Sequence, residues 1–326
     1  MTKFKHVLAK ILVWLKKFFT VDKKLLLGLI IVSALFVLNI LFTTLIPTSK
    51  VHKTVYGSGP YIVLLVIAYL LYLISYFARK KKSVSDVMVV VFAFLAIWDV
   101  TYKIGWLRND VLIPSPEGLF MVFKERPAEI RDDVLSSLGL MFLGVLFASV
   151  FGTLFGLLAG WVNRVRETAL PIINVFTLIP PLMLSPYLIM TLPNLRAAAI
   201  TVIFIAVFFP TFQGTVSRVG MMDKKILEAA KVMNVGTFGM LFKVILPYCL
   251  PGIITSISKS LRGAFMCLQG AELLGLSSGI GYYISKYSTN INYRVVLSGI
   301  VVIAIITTVI DLIVNKIEKT VVKWSY

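Results

Sequence analysis

The sequence predicts an all-α integral membrane protein with about eight transmembrane helices. Of its 326 residues, 58% are hydrophobic and only 15% are charged, whereas soluble domains contain about 25% charged residues. The mean hydropathy is +0.91. Residues 25–46 contain no charged side chain, and about 20 apolar residues suffice to cross a bilayer as a helix. This run is too long for the apolar part of a signal peptide, so we predict that it is retained.

The apolar runs predict where each crossing lies, and the basic residues predict its direction. The predicted crossings are residues 25–46, 60–78, 86–103, 134–162, 168–190, 196–216, 250–273 and 295–315. An even number of crossings places both termini on one side of the membrane. On the side of the N-terminus we count 21 Lys and Arg residues, and ten on the other. The positive-inside rule therefore predicts cytoplasmic termini.

The charge and the rare residue types exclude several functions. The net charge is +18, but the basic residues cluster at the ends of apolar segments and form no stripe typical of nucleic-acid binding. The chain has two cysteines, Cys249 and Cys267, and two histidines, His6 and His52. We therefore expect no disulfide framework, no Cys/His metal site and no cofactor.

Two segments outside the crossings have patterns of their own. Residues 1–24 alternate Lys with apolar residues, which predicts an amphipathic segment on the anionic cytoplasmic leaflet, either a topology anchor or a regulatory element. In the connection 104–133, Ser115 and Pro116 resemble an N-cap and a first-turn proline. A short surface helix is thus predicted from Glu117, which either contacts an external partner or caps the bundle.

Small residues and prolines mark two of the crossings. Gly152, Gly156 and Gly160 recur every four residues, which allows a neighbouring helix to approach closely. The fifth crossing contains several prolines, which kink or break helices. These are Pro171, Pro180, Pro181 and Pro186.

The proline-rich segment also suggests a translocation path. Backbone carbonyls that prolines free at membrane depth must face protein or a water-filled cavity. A path beside residues 180–190 is one interpretation and a packing kink is the other. Glu272 is a second candidate, since a carboxylate at membrane depth usually faces a cavity or a partner; the alternative is a carboxylate satisfied at the outer interface. The candidate path residues are Pro180, Pro181, Ser185, Pro186 and Glu272.

The connection between the sixth and seventh crossings, loop 223–247, is not a simple polar linker. Asp223 can cap a short helix, and apolar residues then recur at helical spacing to form one face. The residues of that face are Ile226, Ala229, Ala230 and Met233. A break follows at 234–236, Thr237 can cap a second short helix, and Pro247 is expected to close the unit. A helix with an uncovered apolar face needs a partner protein.

Loop 223–247 resembles the EAA loop of bacterial ABC importer permeases. The resemblance is carried by Glu228-Ala-Ala230, a turn at Asn234, and Val244-Ile-Leu-Pro247. Further matches to the nitrate, sulfonate and taurine branch extend it over about residues 84–324. They are Leu112-Ile-Pro-Ser-Pro116, Ile179-Pro-Pro181, Ala271-Glu-Leu-Leu-Gly275, Gly279-Ile-Gly-Tyr282, Asp311 and Lys323-Trp324.

The resemblance implies a type I ABC importer permease fold in residues 84–326, preceded by two additional helices in 25–83. It implies a multi-pass protein of the bacterial inner membrane that works as a homodimer with two ATPase subunits and an extracytoplasmic solute-binding protein. Small anions such as sulfonates, nitrate or bicarbonate are its implied solutes. The residues implied to couple the permease to the ATPase are Glu228, Ala229, Ala230, Asn234, Gly236, Val244, Leu246 and Pro247.

Departures from the family pattern set further expectations. Asn234 stands where the turn usually has glycine, so either its backbone adopts the left-handed conformation, which Asn tolerates, or the second half of the loop is oriented differently. Residues 191–194 replace a glycine-bearing stretch, and residues 1–83 are not covered by the resemblance.

Other chemistry finds little support in the sequence. No Gly-x-x-x-x-Gly-Lys-Ser/Thr phosphate loop occurs, so we expect ATP hydrolysis in another polypeptide. An ion-coupled secondary transporter is the main alternative, and it needs acidic residues near the midplane, where Glu272 is the nearest candidate. A membrane-embedded enzyme is the second, without a metalloprotease or nucleophile motif to support it.

Overall fold

The computed structural model describes residues 23–47, 55–79, 81–107, 111–273 and 275–321, and the regular structure in these ranges is entirely helical. We number the helices α1 Lys23–Leu45, α2 Gly59–Arg79, α3 Lys82–Ile104, α4 Pro116–Glu125, α5 Pro127–Trp161, α6 Asn163–Leu178, α7 Ser185–Thr191, α8 Leu195–Gly220, α9 Lys224–Val232, α10 Thr237–Leu273, α11 Ile280–Thr289 and α12 Tyr293–Val321. A 3-10 turn, Pro181–Leu184, precedes α7.

The apolar helices lie where the sequence predicted crossings. In the described part of the chain, seven helices are long and apolar enough to span a membrane, or eight if α6 and Pro181–Thr191 form one span. That pair is bent by 81°. Pro180 and Pro181 explain the bend, because proline lacks an N–H and disfavours helical geometry in the preceding residue. Pro171 lies inside α6 without breaking it.

Two predicted features fall outside the described residues. The amphipathic segment predicted at 1–24 is described only from Lys23 onward, and Lys323 and Trp324 are not described. Both remain predictions.

Helix packing divides the chain into an N-terminal unit, Met1–Glu125, and a C-terminal unit, Arg126–Tyr326. The boundary predicted at residue 83 marks the start of the family resemblance and stays a prediction. Within the N-terminal unit α1 packs along α3, and α2 packs against α4. The two additional helices therefore share a core with helices that the resemblance assigned to the permease.

Helix α4 begins as predicted but is not a surface helix. Ser115 caps it by accepting a hydrogen bond from the Gly118 amide at 3.0 Å, and Pro116 occupies its first position. Its apolar face is buried in the N-terminal unit, where the ring of Phe120 stacks on that of Tyr61 with centroids 5.8 Å apart. The prediction of a surface location is wrong, because four successive residues, Glu117 to Phe120, are buried.

A buried ion cluster holds α1, α3 and α4 together. The Lys103 ammonium lies 3.1 Å from Glu117 Oε1 and 3.5 Å from Asp99 Oδ2. It also donates hydrogen bonds to the carbonyls of Phe42 and Thr43, at 3.2 and 2.9 Å. All three charged side chains are at most 6% exposed. One cation thus serves two carboxylates and two main-chain oxygens.

The glycine pattern of α5 packs against α8 in the C-terminal unit, as the sequence predicted. A methyl group at Gly156 would lie 2.7 Å from Thr215 Cβ, and one at Gly160 would lie 2.7 Å from Val219 Cβ. Gly152 meets Thr211 in the same way. Because lipid provides little hydrophobic drive between helices, this close approach lets van der Waals packing hold the pair together.

Candidate functional site

Loop 223–247 is a capped helix that ends in a hydrogen-bonded left-handed turn. Asp223 is the N-cap of α9, and its carboxylate accepts a hydrogen bond from the Lys225 amide at 2.9 Å. At the other end the Val235 amide donates to the Ala230 carbonyl at 3.2 Å, and the Asn234 amide donates to the Lys231 carbonyl at 2.9 Å. These two bonds form a Schellman motif.

Asn234 occupies the left-handed position of that motif. Its φ is 57°, in a region that non-glycine residues rarely adopt but that Asn tolerates. The first of the two expectations for this residue is therefore the one that the structure has. Gly236 has an ordinary φ of −63°, so Asn234 takes over the backbone role of the glycine usual at this place in the turn.

One side of α9 packs on the C-terminal unit, and Ala230 is on that side. It is 7% exposed and belongs to an apolar cluster with Met222, Met240 and Leu241. Leu227 packs against the same cluster. The prediction that Ala230 lies on an uncovered face is wrong. Ala230 and Leu227 instead pack α9 against its own chain.

The opposite side of α9 is uncovered. Its members are all exposed, and we call them the open face. They are Ile226, Glu228, Ala229, Val232 and Met233. Val232 and Met233 are 88% and 78% exposed, which is unusual for large apolar side chains unless a partner covers them. Phe238, which follows the turn, is 75% exposed as well.

The second half of the loop is the start of a long helix. Gly236 is the N-cap of α10 and no side chain caps it, so the prediction that Thr237 caps this helix is wrong. The helix also does not end at Pro247 but continues to Leu273. A π-helical segment, Met240–Ile245, lies just before the proline, so the hydrogen-bond ladder is already displaced where the proline N–H is missing.

The remaining loop residues of the resemblance divide between core and surface. Val244 and Leu246 pack against the apolar cluster that holds Ala230. Pro247 is exposed. Val244 and Leu246 therefore position the loop, whereas Pro247 is accessible from outside the chain.

A cavity of about 550 Å³ lies between α6, α8 and α10. Pro181 and Ile179 border it, so the broken helix does face a cavity. Of the other predicted path residues, Pro180 and Pro186 are exposed outside its lining and Ser185 is buried away from it. Of the candidate prolines only Pro181 borders the cavity, and the translocation path stays a prediction.

Glu272 does not line the cavity either. It is 1% exposed, and its carboxylate accepts hydrogen bonds from Ser137 Oγ at 2.6 Å and from the Gly281 amide at 2.7 Å. Asp133 accepts a bond from the Gly279 amide at 2.9 Å. The carboxylate that was a path candidate instead joins α5, α10 and the start of α11.

Lys259 is a charged residue of the cavity that was not among the predicted path residues. It shares a face of α10 with Ser256 and Ser260, and all three border the cavity. The signal was available, since polar residues at spacings of three and four within an apolar helix indicate a polar lining. Among the described residues, no group of three or more His, Cys, Asp or Glu side chains could hold a metal ion.

These features define a class of protein: a multi-span helical transport protein of the membrane, with a broken helix beside a polar cavity and a projecting loop for a partner. The family follows from comparison. The chain belongs to the binding-protein-dependent transport system inner membrane components, whose family profile matches residues 152–323. It is therefore a permease subunit of an ABC importer.

Individual relatives agree with the branch that the resemblance indicated. The putative aliphatic sulfonates transport permease SsuC of Bacillus subtilis (strain 168) is 29% identical over 76% of this chain and 90% of its own length. The taurine transport permease TauC of Escherichia coli K12 is 28% identical over 67% and 77%. The nitrate import permease NrtB of Leptolyngbya laminosa is 27% identical over 58% and 68%.

A solved structure supports the fold. The inward-facing MetNI methionine ABC transporter contains a chain that matches with a TM-score of 0.52 and 20% identity, covering 59% of this chain and 95% of its own.

Asn234 offers a test of the turn. We expect Asn234→Gly to retain ATP-driven uptake, because glycine adopts positive φ without cost. Asn234→Val should lower uptake about fivefold or more, since a left-handed conformation costs other residues about 1–2 kcal/mol. Uptake into proteoliposomes that contain the assembled transporter measures both. Equal uptake by the two variants would contradict the role of the left-handed turn.

Proposed function

We propose that a separate ATPase drives this permease by docking on the open face of α9. The observation that carries the proposal is the geometry of that helix. Its inner side is anchored through Ala230, and its ends are closed by Asp223 and by the Schellman motif. Glu228 is exposed, within one helical turn of Val232 and of three lysines. A rigid helix with an uncovered apolar face can transmit movement between a partner and the membrane helix α10 that follows.

Each part of the open face has a distinct role in the proposal. Val232 and Met233 supply apolar contact area, and Ala229 allows the partner's surface to approach closely. Glu228 supplies one charge or hydrogen bond that fixes the register of the contact. Charges at such interfaces set specificity and orientation more than bulk affinity.

The rest of the assembly is proposed by the same reasoning. Two copies of the permease would enclose the path, two ATPase subunits would power it, and an extracytoplasmic binding protein would deliver the solute. A small anion is the proposed solute, because the relatives are named for aliphatic sulfonates, taurine and nitrate. The excess of Lys and Arg on the side of the N-terminus supports cytoplasmic termini in a bacterial inner membrane. The two additional N-terminal helices would extend the permease domain.

The ion-coupled alternative has less support. Such a transporter needs a carboxylate or polar site for its driving ion, and both Glu272 oxygens already accept hydrogen bonds from this chain. Uptake that continues in ATP-depleted vesicles under an ion gradient would favour the alternative over our proposal.

Charge reversal at Glu228 tests the docking role. We expect Glu228→Arg to weaken recruitment of the ATPase at least about tenfold, the equivalent of about 1.4 kcal/mol, and to abolish ATP-driven uptake. The folded state should be unaffected, because Glu228 is exposed and such substitutions usually change stability by less than about 0.5 kcal/mol. Co-purification with the ATPase and thermal unfolding of the permease measure the two effects.

Asp86 is the matched control for this experiment. It is an exposed acid near the start of α3, outside loop 223–247 and on the side predicted to be cytoplasmic. Asp86→Arg makes the same change of charge and should leave both recruitment and uptake intact. If Glu228→Arg recruits the ATPase and transports as well as Asp86→Arg does, the open face is not the docking site.

A further inference from the structure

Helix α10 presents a polar face to the cavity. Ser256, Lys259, Ser260, Gly263 and Cys267 all border it, at positions i, i+3, i+4, i+7 and i+11, which is the spacing of one helix face. The face runs over three turns of a helix that is otherwise apolar enough to span a membrane. Polar side chains within a membrane span usually face a cavity or the interior of the bundle, and these face the cavity.

Lys259 is the charged group on that face. Its side chain is exposed in the cavity, and in the described ranges no carboxylate lies within ion-pairing distance of it. Arg262, one turn away, is different, because its guanidinium is 2.7 Å from Asp311. The charge of Arg262 is thus balanced within the chain, whereas that of Lys259 is available to a solute.

The hydroxyls beside Lys259 are placed as acceptors. Ser256 Oγ donates to the Gly252 carbonyl and Ser260 Oγ donates to the Ser256 carbonyl, each at 3.0 Å. With their protons used within the helix, these hydroxyls can only accept hydrogen bonds from a solute. The three Lys259 protons are therefore the strongest hydrogen-bond donors on this face.

The other side of the cavity is mainly apolar, with Thr177, Gln213 and Ser217 as its polar members. The rings of Phe176 and Phe209 are stacked with centroids 5.2 Å apart and planes 10° from parallel, and both border the cavity with Ile205 and Pro210. Small-molecule sites combine such apolar walls with a few polar groups that set orientation. This cavity has one charge facing one aromatic wall.

We propose that Lys259 is the specificity-determining residue of this permease: its ammonium selects solutes by an anionic group, and the Phe176–Phe209 wall receives their apolar remainder. The inference rests on the proposed function in that the cavity is taken as part of the path of the solute. It goes further in naming the side chain that distinguishes anions from cations and the wall that favours organic over inorganic ions.

Cys267 provides a probe of the cavity that depends on neither ATPase nor transport. It borders the cavity two turns from Lys259, about 12 Å along the axis. Cys249, the other thiol, is 1% exposed, and Cys249→Ala removes it from the experiment. The rates at which Cys267 reacts with an anionic and a cationic methanethiosulfonate are compared. Because the same Cys267 thiolate attacks both reagents and expels the same methanesulfinate, the ratio of the two rates reports the local electrostatic potential.

We expect the anionic reagent to react faster, and Lys259→Met to reduce the ratio of anionic to cationic rates about tenfold, as a unit charge at this distance implies in a partly aqueous site. Lys259→Arg keeps the charge and should keep the ratio. Lys319→Met is the control: it removes one exposed lysine from the last turn of α12, far along the chain from the cavity residues, and should leave the ratio unchanged.

The outcomes separate this inference from the proposed function. A ratio unaffected by Lys259→Met, or changed equally by Lys319→Met, would overturn the assignment of Lys259 even if Glu228→Arg uncouples the ATPase. A tenfold change confined to Lys259→Met would support it even if Glu228→Arg had no effect.

Discussion

Lys103→Met is expected to destabilise the N-terminal unit by about 3–5 kcal/mol, the usual cost of removing one partner from a buried ion cluster. The variant strands two carboxylates and two carbonyls, since the ammonium contacts Glu117, Asp99, and the main-chain oxygens of Phe42 and Thr43. Methionine fills a similar volume but donates no hydrogen bond. The midpoint of thermal unfolding in detergent, followed by circular dichroism, measures the loss.

The pH dependence of the same variant identifies the cause. Burial raises the pKa of Glu117, and Lys103 opposes the rise. Without Lys103 the pKa of Glu117 should rise further, so the folded state binds a proton more tightly than the unfolded chain does. Such a group stabilises the fold below its unfolded pKa and loses that contribution as pH rises. The variant should therefore lose most stability near about pH 8 and least near about pH 5.

Two further variants serve as controls for Lys103. Lys124→Met removes an exposed lysine of α4 and should change stability by less than about 0.5 kcal/mol. Adding Asp99→Asn and Glu117→Gln to Lys103→Met removes the stranded charges and should recover part of the loss. A penalty for Lys103→Met that is independent of pH, and unrelieved by the two amides, would show that lost packing and not uncompensated charge is responsible.

Local patterns predicted several features of this fold. The apolar runs located each crossing, because the length of a span depends only on bilayer thickness and helix rise. The spacing of Gly152, Gly156 and Gly160 predicted a packed face, and the chemistry of Asn allowed a left-handed turn at Asn234. In each case the information lies within about ten residues of sequence, which is the range over which backbone geometry is determined.

Contacts between distant residues were not predictable in the same way. Periodicity placed Ala230 on an apolar face of α9 but could not say that its own chain covers that side. Glu272 was recognised as a carboxylate near membrane depth, yet its partner Ser137 is 135 residues away. Lys103 and Glu117 belong to different helices as well. Which polar groups pair at membrane depth depends on helix packing, and a single sequence does not contain the partner of each face.

Gly279→Val is expected to destabilise the C-terminal unit by more than about 3 kcal/mol. Gly279 has φ 117° and ψ 161°, a region available essentially to glycine alone, where other residues incur about 1–3 kcal/mol of strain. A side chain there would also overlap the Glu272 carboxylate. Displacing that carboxylate breaks its bonds from Ser137 and the Gly281 amide, and a buried donor left unsatisfied costs about 1–3 kcal/mol.

Two further variants test whether the loss comes from the backbone conformation of Gly279 and its contact with Glu272, or from any substitution near the start of α11. Glu272→Gln leaves the backbone of Gly279 unstrained but replaces one acceptor oxygen with a donor, so it should cost about 1–3 kcal/mol, less than Gly279→Val. Gly139→Ala is the matched control, because Gly139 lies in α5 with open space around its Cα, where alanine should stabilise the helix by up to about 1 kcal/mol. In thermal unfolding in detergent, Gly279→Val should therefore unfold at the lowest temperature, Glu272→Gln at a higher one, and Gly139→Ala at the highest. If Gly279→Val unfolds no earlier than Glu272→Gln, the positive φ and the close approach to the carboxylate do not hold α11 in place.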